Sequence, residues 1–130
     1  MKKKALLVDD AAFMRMMLKR TLEELDFEVI AEAKSGKEAV RLYNQYKPDL
    51  VTMDLSMPEM DGIEATKKII ANDPEAKIVI CSALGQKRKI IDSVKAGARD
   101  FILKPFDKES IARKISILLN SGQNHLKKEA

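Results

Sequence analysis

Five short apolar segments alternate along this chain with five segments of helical periodicity, and this alternation constrains the fold more than any other feature. The apolar segments are residues 5–8, 27–33, 50–53, 78–81 and 101–103. Between them, apolar residues recur at the three- and four-residue spacing of amphipathic helices. Strands that alternate with helices form parallel sheets with helices on both faces, joined by right-handed crossovers. The sequence therefore predicts an α/β domain with five parallel strands and five helices.

The composition of the strands predicts their order in the sheet. Residues 27–33 alternate, with Glu28 and Glu32 on one side, as in an edge strand that has one wetter face. The first, third and fourth strands are apolar on both faces, which is typical of central strands. This pattern favours a doubly wound, flavodoxin-like sheet in the order 2-1-3-4-5, with its switch point between the first and third strands.

Capping residues mark the predicted helix starts. Ser35 and Asp61 each stand three residues before a glutamate, which is the capping-box pattern. Asp107 is in position to cap the last helix. Phe13 in the first helix and Tyr46 in the second follow the apolar spacing, so we expect both on buried stripes.

Length and composition predict a single domain. The chain has 130 residues, of which 45% are hydrophobic, enough for one compact domain and too few for two. We expect this domain over residues 1–122, followed by a polar, fraying tail over residues 123–130. Cys81 is the one cysteine, so no disulfide forms within the chain, as is usual in a reducing compartment.

Charge and hydropathy exclude several classes of protein. No apolar stretch approaches the roughly 20 residues of a membrane span, and the apolar run after the basic start is too short for a signal peptide. We expect a cytoplasmic monomer. Much of the net charge of +4 lies at the two ends, without a basic stripe interleaved with aromatics, so no nucleic-acid partner is expected. His125, the one histidine, lies in the tail, which excludes His-centred triads and His-rich metal sites.

Three carboxylates follow two strands that should be neighbours. Asp9 and Asp10 follow the first strand and Asp54 follows the third, so all three should meet at the switch point, where open α/β sheets bind ligands. Carboxylates that meet at one edge repel one another unless a cation neutralises them. Oxygen ligands favour magnesium or calcium over zinc or copper, and magnesium leaves room for a phosphoryl group. Taken singly, Asp10 could cap the first helix, and Asp9 and Asp54 could be turn residues.

Two further polar residues end strands at the same edge. Ser82 follows the fourth strand and would offer a hydroxyl, and Lys104 follows the fifth and would bring a positive charge. Singly they could be a solvated turn residue and a surface lysine. Four of the five predicted strands thus end in a group suited to phosphate chemistry.

Several motifs stand in order along the chain. They are Val8-Asp9-Asp10, the segment from Asp54 to Gly62, Ser82-Ala83, Ala96-Gly97-Ala98 and Lys104-Pro105-Phe106. In residues and spacing the chain resembles the receiver domains of bacterial response regulators, specifically the single-domain, CheY-like chemotaxis regulators. The resemblance covers about residues 3–120.

The resemblance implies a magnesium-dependent phosphorylation site. Asp54 would accept a phosphoryl group from a phosphohistidine on a sensor histidine kinase of the CheA-like type. Asp10 would bind magnesium and Asp9 would support the site. The carboxylate of Asp54 and the backbone carbonyl of Ser56 would complete the protein ligands. Lys104 would pair with the phosphoryl oxygens or with Asp54.

The resemblance also implies a switch. Ser82 would hydrogen-bond the bound phosphoryl group, and Phe101 occupies the aromatic switch position. Relatives commonly have threonine and tyrosine at these two places, so Phe101 would have to work by packing alone. The Lys104–Pro105 bond would be cis, as is common in the family. Such a protein catalyses only its own phosphorylation and its own slow dephosphorylation. It is therefore a signalling switch more than a turnover enzyme.

The implied partners include a kinase, a target and a phosphatase. The signal would leave through the face of the fourth helix, fifth strand and fifth helix, toward a flagellar motor switch or another target. Ile117 falls off the buried stripe of the last helix and could be a contact there.

Three alternatives remain. A receiver in another phosphorelay has the same residues. An aspartate-nucleophile phosphatase would prefer its nucleophile after the first strand, with a second Asp two residues on, whereas Asp9 and Asp10 are adjacent. A flavin-binding module needs a Ser/Thr/Gly-rich phosphate loop after that strand.

Overall fold

The computed structural model describes residues 2–129, and it describes side chains for residues 2–120. The strands are β1 Lys3–Val8, β2 Phe27–Ala33, β3 Leu50–Asp54, β4 Ile78–Ala83 and β5 Asp100–Lys104. The helices are α1 Ala12–Glu24, α2 Gly36–Tyr46, α3 Gly62–Asn72, α4 Lys87–Lys95 and α5 Lys108–Glu129. The alternation of strands and helices predicted from the sequence is confirmed.

The five strands form one parallel sheet in the order β2-β1-β3-β4-β5. This is the predicted flavodoxin-like order, and β2, with its alternating pattern, lies at an edge as expected. All strands run in one direction, so their C-terminal ends share one edge of the sheet. The ends of β1 and β3 are neighbours there, with Val8 opposite Met53.

Each face of the sheet is covered by helices. On one face, strand residues such as Leu6 and Ile80 pack with Tyr43 of α2 and Ile69 of α3. On the other face, a second set of strand residues packs with Leu18 and Leu22 of α1 and with Ile111 and Ile115 of α5. Burial on both faces explains why residues 5–8 of β1, 50–53 of β3 and 78–81 of β4 are largely apolar.

The predicted caps are present. The side chain of Ser35 accepts a hydrogen bond from the Glu38 N–H, and that of Asp61 accepts one from the Glu64 N–H. Asp107 accepts one from the Ser110 N–H at 2.8 Å. The hydrogen bonds from Ser110 hold the pKa of Asp107 below its ordinary value.

Two predictions about buried stripes were wrong. Phe13 is 67% exposed and Tyr46 is 44% exposed. The rest of the predicted α1 stripe holds, because Leu18, Thr21 and Leu22 are buried, but Arg15 is buried as well. Arg15 can be buried because its guanidinium donates hydrogen bonds to the Asp9 carbonyl and to Glu32. Tyr46 is the last residue of α2, next to Lys47, which ends the helix in a left-handed conformation.

The C-terminal helix continues further than expected. Helix α5 runs to Glu129, through residues predicted to form a fraying tail. The boundary near residue 122 between domain and tail stays a prediction. Within the described residues, no helix has the length and apolar character needed to cross a membrane.

A partly buried hydrogen bond links α2 to the residue that caps the end of α3, and we expect its removal to destabilise the fold. The Tyr43 hydroxyl donates to Asp73 at 2.7 Å, and burial together with Asp73 raises the pKa of Tyr43. Tyr43→Phe should lower the free energy of unfolding by about 1–2 kcal/mol. In the unfolded chain Tyr43 ionises near pH 10, whereas in the folded protein its hydroxyl keeps its proton, so this residue makes stability fall as pH rises above that value. The Phe variant should lose that fall in urea unfolding, and Tyr46→Phe, at an exposed position, should leave the free energy of unfolding at neutral pH unchanged.

Candidate functional site

Three carboxylates converge at the C-terminal edge of the sheet. Oxygens of Asp9, Asp10 and Asp54 all lie within 4.8 Å of one another. Asp9 is 1% exposed and Asp54 is 8% exposed, whereas Asp10 faces solvent. The structure therefore brings together the three acidic residues that the sequence placed at this edge.

Asp9 is held from several sides. Its Oδ1 accepts a hydrogen bond from the Ala11 N–H at 2.9 Å, and its own N–H donates to the Ala33 carbonyl at 3.0 Å. Its carbonyl accepts a hydrogen bond from Arg15 Nη1 at 2.6 Å, while Arg15 Nε donates to Glu32 at 2.9 Å. Sequence reasoning missed Arg15, although its spacing of three and seven residues from Leu18 and Leu22 was a signal that it shares their face.

The simpler interpretation of Asp10, as a helix cap, is wrong. Helix α1 has Ala11 at its N-cap position, with no side-chain cap hydrogen bond. Asp10 precedes the cap, is exposed and has its carboxylate close to those of Asp9 and Asp54. A carboxylate in that place is available to a cation that approaches from solvent.

Lys104 is the cation of the site. Its Nζ lies 3.2 Å from Asp9 Oδ2 and 3.2 Å from Asp54 Oδ1. Burial alone would lower the pKa of Lys104, but the Asp54 and Asp9 carboxylates outweigh it and the pKa is raised. Burial, followed by the Asp9 charge, raises the pKa of Asp54 even though Lys104 opposes the shift. Among the described residues, one ammonium group thus pairs with two of the three clustered carboxylates. The Lys104–Pro105 bond is cis, as the resemblance implied.

Ser82 is buried at the end of β4, and a side chain that sequence reasoning missed holds its hydroxyl. Ser82 Oγ lies 2.7 Å from Gln86 Oε1, which also accepts the Ala83 N–H at 2.9 Å. Gln86 Nε2 donates to the hydroxyl of Ser56 at 3.2 Å. Ser56 is exposed in the loop after β3, so Gln86 links the loops that follow β3 and β4.

The loop that carries Ser56 is fixed by close backbone packing. The Gly62 N–H donates to the Leu55 carbonyl at 2.9 Å, and a Cβ at Gly62 would collide with the backbone carbonyl of Asp54. The Gly36 N–H, at the start of α2, donates to the Met60 carbonyl at 2.9 Å. Glycine at position 62 therefore lets the loop fold back against the end of β3.

Phe101 lies on β5, opposite Ile80 of β4, and is partly buried. Lys114 Nζ sits 4.7 Å from the centre of its ring. Beside the ring is a groove of about 390 Å³ that the β4–α4 loop, α4 and β5 line, with Leu84, Ile90, Ile91 and Leu103 among its residues. Phe101 thus borders the loop that follows Ser82, and its role as an aromatic switch stays a prediction.

The donor set suits a hard cation. Three carboxylates offer oxygen ligands of the kind that magnesium or calcium prefers. The neighbouring thiol does not compete, because Cys81 is fully buried and burial raises its pKa to about 12. The residues present therefore fit magnesium, and an oxygen ligand from the Ser56 carbonyl stays a prediction.

Comparison with known proteins matches most of the chain to one family. Residues 5–116 match the response regulator receiver domain. Chemotaxis protein CheY of Listeria monocytogenes is 54% identical over 108 residues, which are 83% of this chain and 91% of the relative. Chemotaxis protein CheY of Thermotoga maritima is 53% identical over 116 residues, 89% of this chain and 97% of the relative.

Solved structures show the same similarity. A chain in the crystal structure of the CheX-CheY-BeF3-Mg2+ complex from Borrelia burgdorferi has a TM-score of 0.86 and 33% identity. The match covers 90% of this chain and 89% of that chain. The family match over residues 5–116 includes the C-terminal ends of all five strands, where the candidate site lies.

Proposed function

The chain belongs to the response regulator receiver domain family, and on that premise we propose that it is a chemotaxis regulator switched by phosphorylation of Asp54. Its close relationship to CheY proteins makes it a phosphorylatable response regulator. The observation that supports the proposal most is the convergence of Asp9, Asp10 and Asp54 with Lys104 at one strand edge.

Asp54 is the proposed nucleophile. Its carboxylate oxygen attacks the phosphorus of a phosphohistidine on a CheA-like sensor kinase, forming a P–O bond while the P–N bond breaks and the electron pair leaves with the imidazole. Lys104, which pairs with Asp54 at 3.2 Å, is placed to neutralise charge on the phosphoryl oxygens. Phosphoryl transfer requires mainly positioning and charge stabilisation, and these side chains supply both. Slow attack by water on the aspartyl phosphate then restores the free carboxylate.

Magnesium is the proposed cofactor. Asp10, Asp54 and the Ser56 carbonyl are the proposed ligands, with Asp9 as ligand or support. Bound there, the ion would offset the negative charge of the carboxylates and of the phosphoryl oxygens. The complex from Borrelia burgdorferi contains BeF3 and Mg2+, which supports this assignment by similarity.

The proposed output surface is formed by α4, β5 and α5. Ile91 and Val94 of α4, Leu103 of β5 and Ile117 of α5 are all exposed apolar side chains. The groove beside Phe101 opens on this surface, so movement of Ser82 and of its loop would change its shape. We propose that a target, such as a flagellar motor switch protein, docks here with the regulator as a monomer, and that a phosphatase resets it.

Phosphate incorporation tests this function. Incubation with magnesium and a small acyl-phosphate donor should add one phosphate to the intact protein by mass spectrometry. A chelator should prevent the addition. Capture of partners on phosphorylated and unphosphorylated protein would then separate a chemotaxis circuit from another phosphorelay, and absence of magnesium-dependent labelling would contradict the proposal.

Magnesium affinity should depend on Asp10. Asp10→Ala is expected to weaken magnesium binding in calorimetry by at least about 10–100-fold, because loss of a ligand should cost no less than loss of an outer-shell partner. The folded apo protein should be at least as stable as wild type, because one of three repelling carboxylates is removed. Glu23→Ala removes the same charge from an exposed position on α1 and serves as the control. Equal affinity in Asp10→Ala and wild type would remove Asp10 from the ligand set.

A further inference from the structure

Gln86 makes three hydrogen bonds across the mouth of the site. Its Oε1 accepts from the Ser82 hydroxyl at 2.7 Å and from the Ala83 N–H at 2.9 Å. Its Nε2 donates to Ser56 Oγ at 3.2 Å. One side chain thus joins the end of β4 to the loop that follows Asp54 at the end of β3.

The orientation of the Gln86 amide follows from its neighbours. The Ala83 N–H can only donate, so the amide atom that faces it must be the oxygen. The nitrogen then faces Ser56, whose hydroxyl can accept. The single proton of the Ser82 hydroxyl has two acceptors within reach, Gln86 Oε1 at 2.7 Å and the Ala83 carbonyl at 3.2 Å, and the shorter contact makes Gln86 its main acceptor in this state.

A phosphoryl group on Asp54 would compete with Gln86 for that donor. Hydrogen bonds to a charged acceptor are roughly twice as strong as those to a neutral one, so the phosphoryl oxygens should win the Ser82 hydroxyl from the amide. Forming that hydrogen bond requires the contact between Ser82 and Gln86 to break. The free energy of the broken contact is therefore subtracted from the free energy gained with the phosphoryl group. Gln86 therefore opposes the switch for as long as the site is unphosphorylated.

We propose that Gln86 is a positioning residue that holds the Ser82 hydroxyl in the unphosphorylated state and so sets the threshold for switching. The proposal rests on the proposed function and extends it, because it assigns control of the response to a residue that acts through Ser82. Ser56 anchors the amide from the opposite loop, which keeps Oε1 aimed at Ser82.

The test uses beryllofluoride with magnesium as a probe of the phosphorylated state, with its affinity measured by calorimetry. Gln86→Ala should bind the probe about fivefold more tightly, the ratio that corresponds to one neutral hydrogen bond no longer broken. Gln45→Ala, an exposed glutamine on α2, should bind as wild type does. Ser82→Ala should bind more weakly than wild type, because the probe loses a donor.

The double variant separates positioning from a merely structural role. If Gln86 acts through Ser82, then Gln86→Ala should have no effect on probe affinity in the Ser82→Ala background. An equal gain in both backgrounds, or no gain in the single variant, would overturn the role of Gln86 and leave phosphorylation of Asp54 intact. Failure of wild-type protein to bind the probe would overturn the proposed function as well.

Discussion

Replacing Asp54 with asparagine is expected to abolish phosphorylation. The amide keeps the size of the carboxylate but lacks a nucleophilic oxygen, so labelling by an acyl-phosphate donor with magnesium should fall from one phosphate per chain to none. Of the three carboxylates, Asp54 is the one that ends β3, and Lys104 is paired with it at 3.2 Å. Intact-mass measurement over a time course checks the result.

The same variant should fold well. Burial, followed by Asp9, raises the pKa of Asp54, so the folded protein holds this proton more tightly than the unfolded chain does. The contribution of Asp54 to stability is therefore present at low pH and is lost as pH rises from the ordinary carboxyl pKa through the raised one. Asp54→Asn removes this loss, so the apo variant should be at least as stable as wild type at neutral pH.

Asp26→Asn provides a matched control for this experiment. Asp26 is exposed and has a φ of 71°, a conformation that asparagine tolerates. This control should be labelled normally. Persistent labelling of Asp54→Asn at another residue would show that the nucleophile has been misassigned.

Lys104→Met is expected to slow phosphorylation by roughly 10²–10³-fold, the usual cost of removing one donor aimed at developing charge. Methionine fills similar volume but has no charge, so Asp9 and Asp54 lose the ammonium group that lies 3.2 Å from each. The rate of labelling by an acyl-phosphate donor at saturating magnesium measures the effect.

The magnesium affinity of Lys104→Met shows whether slower labelling results from loss of the Lys104 charge or from loss of the fold. The Lys104 ammonium repels a cation bound to the same carboxylates, so Lys104→Met should bind magnesium at least as tightly as wild type. Lys108→Met removes a charge that pairs with Glu24 at 2.6 Å on an exposed surface, and it should leave both quantities unchanged. A Lys104→Met protein that is labelled at the wild-type rate would contradict the role assigned to the ammonium group.

The sequence by itself determined the architecture and the location of the site. The alternation of strands and helices predicts parallel strands, and burial on both faces distinguishes central strands from the edge strand β2. Parallel strands place their C-terminal ends at one edge, so residues that follow separate strands must meet there. Asp9, Asp10, Asp54 and Lys104 could be brought together in this way because only strand direction and order were needed.

Only the tertiary structure determined the burial of Arg15, the exposure of Phe13 and the contacts between loops. Arg15 is buried with hydrogen bonds to the Asp9 carbonyl and to Glu32, and no periodicity in α1 reports those partners. Gln86 reaches Ser56, 30 residues away in sequence, through the packing of two loops. Such contacts depend on the exact placement of elements that are distant in the chain, whereas the hydrophobic pattern records only which face of each element is buried.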